Sequence, residues 1–406
     1  MTPTREDAEP RKPLVILIAA ETYPPTMNGA AQFCYRLAKG MGARGHAMHV
    51  LAPQPVAGAS YTEVRSEAQV HRLRSHAMFT NPDFRICFPW EIKREISQLF
   101  DRIKPDVVHI QCHYMIGKAT MEECVRRGIR VISTNHFMPE NLNPFLPFPE
   151  WFLKIVARNS WRDMGKIMGK GAVVTTPTQL AADAMRELAK LDKVLPVSNG
   201  IDSAAYVLKA GEEISPPDYR TVLFAGRLAE EKHVDVLIRA IGKLPADLNA
   251  HLEIVGGGEV RPALEELVAK LGLSDRVQFL GLISDEELRE AYIRASVFAM
   301  PGTAELQSLV SLEAASASTP LVLADAMALP HLIDGEKNGF LFRPGDSDDL
   351  AAKIRAILEL PKAESEAMGA ASKAVAERHS LATTLEIFED LYYSASYEDI
   401  ASRIGH

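Results

Sequence analysis

What this chain lacks sets aside several classes of protein. No apolar run approaches the ~20 residues that a membrane-spanning helix requires. The stretch PLVILIAA (13–20) is shorter than that and has no cleavage-site pattern behind it, so no signal peptide is expected. The four cysteines, Cys34, Cys87, Cys112 and Cys124, stand without the paired spacing of a metal site and read as reduced thiols of a cytoplasmic protein. There is no low-complexity tract. A dinucleotide fingerprint is also missing: IVGGGEV (254–260) has the glycines but does not complete G-x-G-x-x-G, and no acidic ribose-binding residue can be assigned to it. Its glycines read as a turn passing close to a binding cleft.

What is there describes a two-domain globular protein. The 406 residues are enough for two cores, and 47% hydrophobic with 24% charged residues is ordinary globular composition. The net charge of −8 is unevenly spread. Residues 1–198 hold 26 Lys and Arg against 19 Asp and Glu, a net of +7; residues 199–406 hold 19 against 34, a net of −15. A basic half facing an anionic membrane or a phosphorylated acceptor, and a merely solvated surface, both fit that asymmetry.

Short apolar runs alternate with amphipathic stretches. LVILIAA, AMHVLAP, DVVHIQC, RVISTNH, AVVTTPT and KVLPVSN read as strands in the first half. TVLFAGR, AHLEIVG, RVQFLGL, SVFAMPG, PLVLADA and GFLFRPG read as strands in the second, with helices such as VDVLIRAIGKL between them. The pattern predicts two doubly wound α/β domains, over 13–200 and 201–380, joined near a Gly/Pro-rich linker at 198–220. Residues 1–12 are expected to be a disordered leader, and 381–406 a C-terminal helix crossing back to the first domain. Ligands of such sheets bind beyond the carboxyl ends of the strands, so the cleft between two facing sheets is the expected site.

Several residues cluster at those strand ends. AELQSLVSLEAA (304–315) sets Glu305 and Glu313 eight positions apart in an apolar, small-residue run. Buried carboxylates find partners or lose charge, so the pair holds either polar protein groups or ligand hydroxyls. In LFAGRLAEEKHVDVLIRA (223–240), Arg227 and Lys232 lie at a strand–turn–helix mouth and suit a diphosphate; the alternative is pairing with Glu230 and Glu231. Gly29, in the first strand–helix turn, would let backbone approach a ligand or simply close the turn. His113 and His136 each follow a strand of the first domain. Asp346 and Asp348 form a D-x-D, as in metal-dependent sugar transfer, but precede a helix and are expected to cap it rather than bind metal.

Taken together, the NG turn, the strand-edge histidine, GRLAEEK, VQFLGLIS and E-x7-E resemble the retaining glycosyltransferases of family 4, which have the GT-B fold: two Rossmann-like domains facing across a cleft. The resemblance runs from about residue 13 over nearly the whole chain, closest to members that glycosylate diacylglycerol-type lipids. It implies a hexosyltransferase (EC 2.4) using a UDP- or GDP-linked sugar as donor substrate, with no cofactor and no metal. It also implies roles: Glu305 on donor-sugar hydroxyls, Glu313 on the ribose, Arg227 and Lys232 on the diphosphate, and the amides near Leu309 and Val310 beside them. Gly281 and Ile283, in GLIS (281–284), would read the nucleobase, Gly29 would adjoin the donor, and His136 would lie near the reacting sugar. If the E-x7-E run is helical throughout, eight positions at ~1.5 Å each span ~12 Å, enough to reach both sugar and ribose. The chain departs from the family at Gln307-Ser308, where Phe-Gly is common, and at Ser318, where glycine is common.

On the acceptor side, EWFLKIVARNSWRDMGKIMGK (150–170) repeats Lys154, Arg158, Arg162, Lys166 and Lys170 every four residues beside Trp151, Phe152, Ile155, Val156 and Trp161, with NLNPFLPFP (141–149) before it. That pattern reads as an interfacial membrane helix, its rival being a core helix with a solvated basic face. The partners expected are a nucleotide-sugar donor, a lipid or small-molecule acceptor and an anionic membrane surface, with no nucleic acid. The expected location is cytoplasmic, peripheral on the inner face of the plasma membrane. A soluble acceptor, another GT-B activity such as a glycogen-type synthase or sugar phosphorylase, and a sugar-nucleotide-binding protein without turnover are the competing readings.

Overall fold

The computed structural model describes residues 11–26, 28–78, 81–139, 148–215 and 217–404. The chain divides into two units, Met1–Pro196 with Ile387–His406, and Val197–Glu386.

The first unit is built on an eight-stranded sheet with the order β10-β9-β8-β7-β1-β2-β4-β3. Its strands are β1 (Val15–Ala19), β2 (Ala47–Pro53), β3 (Tyr61–Val64), β4 (Gln69–Leu73), β7 (Val107–Ile110), β8 (Arg130–Thr134), β9 (Val173–Thr176) and β10 (Val194–Pro196). All pair in parallel except β3, an antiparallel edge on β4. A separate hairpin joins β5 (His76–Met78) to β6 (Asn81–Ile86). Helices α1 (Gly29–Ala43), α2 (Pro89–Ile103), α3 (Met115–Arg127), α4 (Glu150–Met168) and α5 (Gln179–Leu188) connect the strands. The apolar runs become strands because both faces are covered: Ile16, Leu17 and Ile18 of β1 are wholly buried. Helix α2 buries Ile92, Ile96, Leu99 and Phe100, the i, i+4, i+7, i+8 stripe of an amphipathic helix.

The second unit has a six-stranded parallel sheet, order β13-β12-β11-β14-β15-β16, from β11 (Arg220–Ala225), β12 (Ala250–Val255), β13 (Val277–Gly281), β14 (Val297–Met300), β15 (Leu321–Ala324) and β16 (Gly339–Phe342). Helices α6 (Val234–Lys243), α7 (Arg261–Lys270), α8 (Asp285–Arg294), α9 (Leu309–Ser316), α10 (Ser347–Leu358) and α11 (Lys362–Glu377) accompany it. Each predicted strand run is found as a strand. The polar segments of β3, β4 and the hairpin carry no apolar run and are additions to the expected pattern.

The C-terminal stretch forms two helices rather than one, α12 (Leu381–Tyr392) and α13 (Tyr397–Ile404), and from Ile387 onward it belongs to the first unit. There Phe388 is wholly buried against Phe33 and His109, with ring centroids 5.5 and 5.1 Å away. The Tyr392 hydroxyl is 2.7 Å from His109 Nδ1, and Arg130 donates to the carbonyls of Leu391 and Ala395. Residues 11 and 12, expected in the disordered leader, are instead held: Arg11 pairs with Asp390 at 2.7 Å, and the Lys12 carbonyl accepts from Tyr393. Residues 1–10 lie outside the described residues.

Candidate active site

In the second unit, the loop after β11 and the loop after β14 meet. The chain leaves β11 through Arg227, makes a single 3-10 turn at Glu230–Lys232, and enters α6 after His233, whose φ of 48° is left-handed. This turn is fastened to the β14 loop: the Thr303 amide donates to the Glu231 carbonyl at 3.0 Å, and His233 Nε2 lies 2.9 Å from Thr303 Oγ1. The result is an ion pair between Lys232 and Glu305, two residues far apart in sequence. Both side chains are mostly enclosed, at 19% and 13% exposure.

Arg227 also points at carboxylates, Glu231 at 2.5 Å and Glu259 at 3.3 Å. The internal-pairing alternative thus holds for Arg227 with Glu231, while Lys232 pairs with Glu305. The glycine run 254–260 has a packing reason. A Cβ on Gly256 would lie 1.9 Å from the Gly226 carbonyl oxygen, and one on Gly258 would lie 2.1 Å from that of Leu228. These glycines let the β11 and β12 turns touch.

The continuous-helix spacing of the two glutamates is corrected here. Helix α9 starts only at Leu309, so Glu305 sits in the preceding loop and the ~12 Å helical span does not apply. Ser308, where the family commonly has glycine, stands at the N-cap with no side-chain cap bond, and the Leu309 and Val310 amides follow in the first turn. Glu313 is buried on α9, at 6% exposure, and accepts the Tyr292 hydroxyl at 3.0 Å. Gly281 has φ 70°, its carbonyl accepting from the Gly256 amide at 2.8 Å; Leu282 beside it is 74% exposed, and Ile283 is half-buried. The D-x-D is a helix cap: Asp346 accepts the amides of Asp348 and Asp349, each at 3.0 Å, and Asp348 pairs with Lys243 at 2.7 Å.

The first unit has its own set at the carboxyl ends of its strands. His136, after β8, has Nε2 2.7 Å from Gln111 Oε1, after β7, and its ring stacks at a tilt 4.7 Å from Phe33. Burial pushes His136 down to about 3, so the imidazole is neutral at pH 7. His113 is wholly buried, 3.2 Å from Ser160 Oγ, and pushed down to about 4 by burial; it is a core histidine. Gly29 opens α1, where Asn28 caps by accepting the Ala31 amide at 2.8 Å. A Cβ on Gly29 would meet nothing within 4 Å, so no protein group demands glycine there. Glu21, after β1, accepts the amides of Ile116 and Gly117 at the uncapped start of α3, at 2.8 and 3.1 Å; burial nevertheless pushes it up to about 7.

Of the expected helix over 150–170 the structure has 150–168, with Lys154, Arg158, Arg162 and Lys166 exposed; Lys170 lies beyond the Gly169 C-cap and is not part of the helical stripe. Trp151 and Ile155 are 65% and 38% exposed. Trp161, read as interfacial, is corrected: it is 3% exposed and joins Met164 and Met168 on the face turned to the core. Lys154 pairs with Glu150 at 3.3 Å. Residues 141–147 lie outside the described residues. No helix among those described is long and apolar enough to cross a membrane.

Sequence reasoning missed Gln307, Tyr292, Thr303, His233 and Gln111. Only Gln307 carried a signal, as a polar residue where the family has an apolar one.

The chain's likenesses bear on this site. Residues 27–205 match the family described as Glycosyltransferase Family 4, and residues 209–375 match Glycosyl transferases group 1. An uncharacterized glycosyltransferase of Methanocaldococcus jannaschii is 34% identical over 176 residues, 41% of this chain and 45% of that one. The aligned region thus spans less than half the length of that relative. The alpha-monoglucosyldiacylglycerol synthase of Acholeplasma laidlawii is 24% identical over 81% of this chain and 85% of its own. Among solved structures, Anabaena HepE in complex with UDP and glucose superposes with a TM-score of 0.72 at 18% identity, covering 94% of this chain and 100% of that one. The two matched regions together account for most of the sequence, and the boundary between them, at 205–209, lies close to the Pro196/Val197 boundary of the two α/β units: the chain belongs to glycosyltransferase family 4 and has the GT-B fold.

Proposed function

We propose that this protein is a retaining glycosyltransferase that moves a hexose from a nucleotide-diphosphate sugar, UDP- or GDP-linked, to an acceptor hydroxyl. The observation that carries the reading is the Lys232–Glu305 pair, which joins the loop that begins at Arg227 to the loop leading into the helix that bears Glu313. Cleavage of the anomeric C–O bond leaves its electron pair on the β-phosphate oxygen and oxocarbenium character on the sugar. Lys232, Arg227 and the first amides of α9 stabilise that leaving charge. Glu305 binds the sugar hydroxyls and Glu313 the ribose, with the backbone at Gly281 and Ile283 at the base and Gly29 adjoining the donor. His136, neutral, contacts the reacting sugar. The acceptor oxygen attacks the face the phosphate leaves, and its proton passes to a departing phosphate oxygen. The two cations supply the charge a metal would bring, so the reaction needs none. That HepE is found with UDP and glucose supports a nucleotide-sugar donor.

The acceptor is a lipid at an anionic membrane surface on the cytoplasmic side, with no nucleic-acid partner. The Acholeplasma relative's named product supports this, as does the exposed Trp151 and Ile155 beside the basic stripe of α4. The burial of Trp161 and the Lys154–Glu150 pair favour the second reading, a soluble acceptor. Released nucleoside diphosphate, measured with several UDP- and GDP-sugars against diacylglycerol vesicles and soluble polyols, tests the whole. No release with any donor refutes turnover; release only with polyols refutes the lipid. Vesicle co-sedimentation should rise with anionic lipid, fall with salt and drop when Lys154, Arg158, Arg162 and Lys166 become Gln, each cation near the surface being worth ~1 kcal/mol.

A further inference from the structure

The chain passes between its units twice, just before Val197 and just after Glu386. Within the second unit the segments beside these two crossings are bonded to each other. The Ile201 amide donates to the His379 carbonyl at 2.7 Å, and the Leu381 amide returns a bond to the Ile201 carbonyl at 2.9 Å. Thr384 Oγ1 donates to the Ser198 carbonyl at 2.9 Å. Contact is close enough to require glycine: Gly200 has φ 75°, and a Cβ there would lie 2.8 Å from Leu381 Cα.

Gln307 is bonded into both segments. Its Oε1 accepts the Asn199 amide at 2.8 Å, and its Nε2 donates to Ser198 Oγ at 2.9 Å and lies 3.4 Å from His379 Nδ1. The residue is 7% exposed, so these bonds stand in for ones to water. Gln307 is also two residues from Glu305 and next to Ser308 at the start of α9. The same loop is held from its other side, where the Ala328 amide donates to the Glu305 carbonyl at 3.1 Å. A phenylalanine at this position could make none of the three polar contacts.

We propose that Gln307 is a positioning residue that fastens the loop between Glu305 and α9 to both chain crossings, so that a nucleoside diphosphate bound at Lys232 and the first amides of α9, displacing the Lys232–Glu305 pair, steadies segments it does not touch. The inference rests on the donor-site reading of that pair. Opening of the crossings must break the Gln307 bonds or pull the loop with them. A ligand that holds the loop therefore opposes the opening, and the opening free energy rises with occupancy.

Hydrogen exchange on the full chain, with UDP and with GDP, reads this directly. The Thr303 and Ala328 amides report on the loop, and Ile201 and Leu381 on the crossings. With nucleotide at 100 times its Kd, full coupling slows exchange at Ile201 and Leu381 by up to about 100-fold, in step with Thr303 and Ala328. In Gln307→Met, which keeps length and removes the amide, nucleotide should still slow the loop pair and leave the crossing pair unchanged. A purely structural glutamine would lower stability without separating the two pairs. Slowing of the loop pair alone in the unaltered protein overturns the proposal, a result that does not depend on the variant folding. Equal slowing of the crossing pair in Gln307→Met also overturns it. If neither nucleotide slows the loop pair, the donor-site reading itself fails, and the proposal with it.

Discussion

Replacing Glu305 with Gln should tighten the binding of bare UDP or GDP while slowing sugar transfer. In the free protein Lys232 is held by Glu305, so a diphosphate has to take the ammonium from a carboxylate. The two side chains are 19% and 13% exposed, more enclosed than the surface pairs for which ~0.2–1 kcal/mol is usual. Taking the upper end, ~1 kcal/mol of competition corresponds to about fivefold tighter nucleotide binding in Glu305→Gln, and loss of the carboxylate's repulsion of the diphosphate acts in the same direction. Lys232→Met should do the opposite. It removes a charge-assisted contact worth ~1.5–3 kcal/mol, or about 10- to 150-fold in Kd. The sugar donor should distinguish the two residues again: on the proposed placement Glu305→Gln removes contacts to hydroxyls of the reacting sugar, so its kcat should fall. Calorimetric titration of the three proteins with UDP and GDP, followed by turnover with the sugar donor, decides it. If Glu305→Gln weakened the bare nucleotides as much as Lys232→Met does, the competition argued from the ion pair would be wrong.

Glu313→Gln should raise the apparent KM of the donor with little change in kcat, because the proposed function sets its carboxylate at the ribose, away from the bond that breaks; an unchanged KM would remove the ribose assignment. Turnover should survive EDTA, since Asp346 and Asp348 are engaged as a helix cap and an ion pair; activity lost on chelation and restored by Mg²⁺ or Mn²⁺ would reverse that. Glu21 is held up at about 7 when folded, against 4.5 as its ordinary value. The folded state therefore keeps the proton longer, and the Glu21 contribution to stability is fully present below pH 4.5, declines as pH rises toward 7, and is level above it. Melting curves of Glu21→Gln should thus gain on the unaltered protein between pH 4.5 and 7, and parallel curves would show that the folded carboxyl is not raised.

Much of the fold was legible because buried parallel strands are apolar along their whole length, as in VILIA and VLFA, and so stand out without an alignment. The edge strand YTEV escaped for the opposite reason: two of its residues face solvent at its start, none is buried, and nothing in its pattern separates it from a loop. For the site, the residue types were legible and their contacts were not. Lys232 meets Glu305 only because two βα loops converge, a fact of sheet order rather than of spacing. Trp161 was misjudged because its helix turns one face inward at Trp161, Met164 and Met168, while the basic stripe that drew attention lies on another. Gln307 illustrates a third limit: its partners at Ser198, Asn199 and His379 are far away along the chain, and no local pattern announces them.

The return of the C-terminus to the first unit bears on how the chain is made. Phe388 and Tyr392 complete the surroundings of Phe33 and His109, and Asp390 holds Arg11, yet these closing residues are made only after the whole of the second unit. All of Val197–Glu386 is synthesised in between, which at ~5–20 residues per second takes roughly 10–40 s. The unit begun first is therefore finished last, while the second unit has all of its residues before the first does. During that interval Phe33 and His109 lack the cover that Phe388 and Tyr392 later give them, a period in which a chaperone could hold that face. A stop codon just past Glu386 would leave the later-made unit whole and disable the one made earlier.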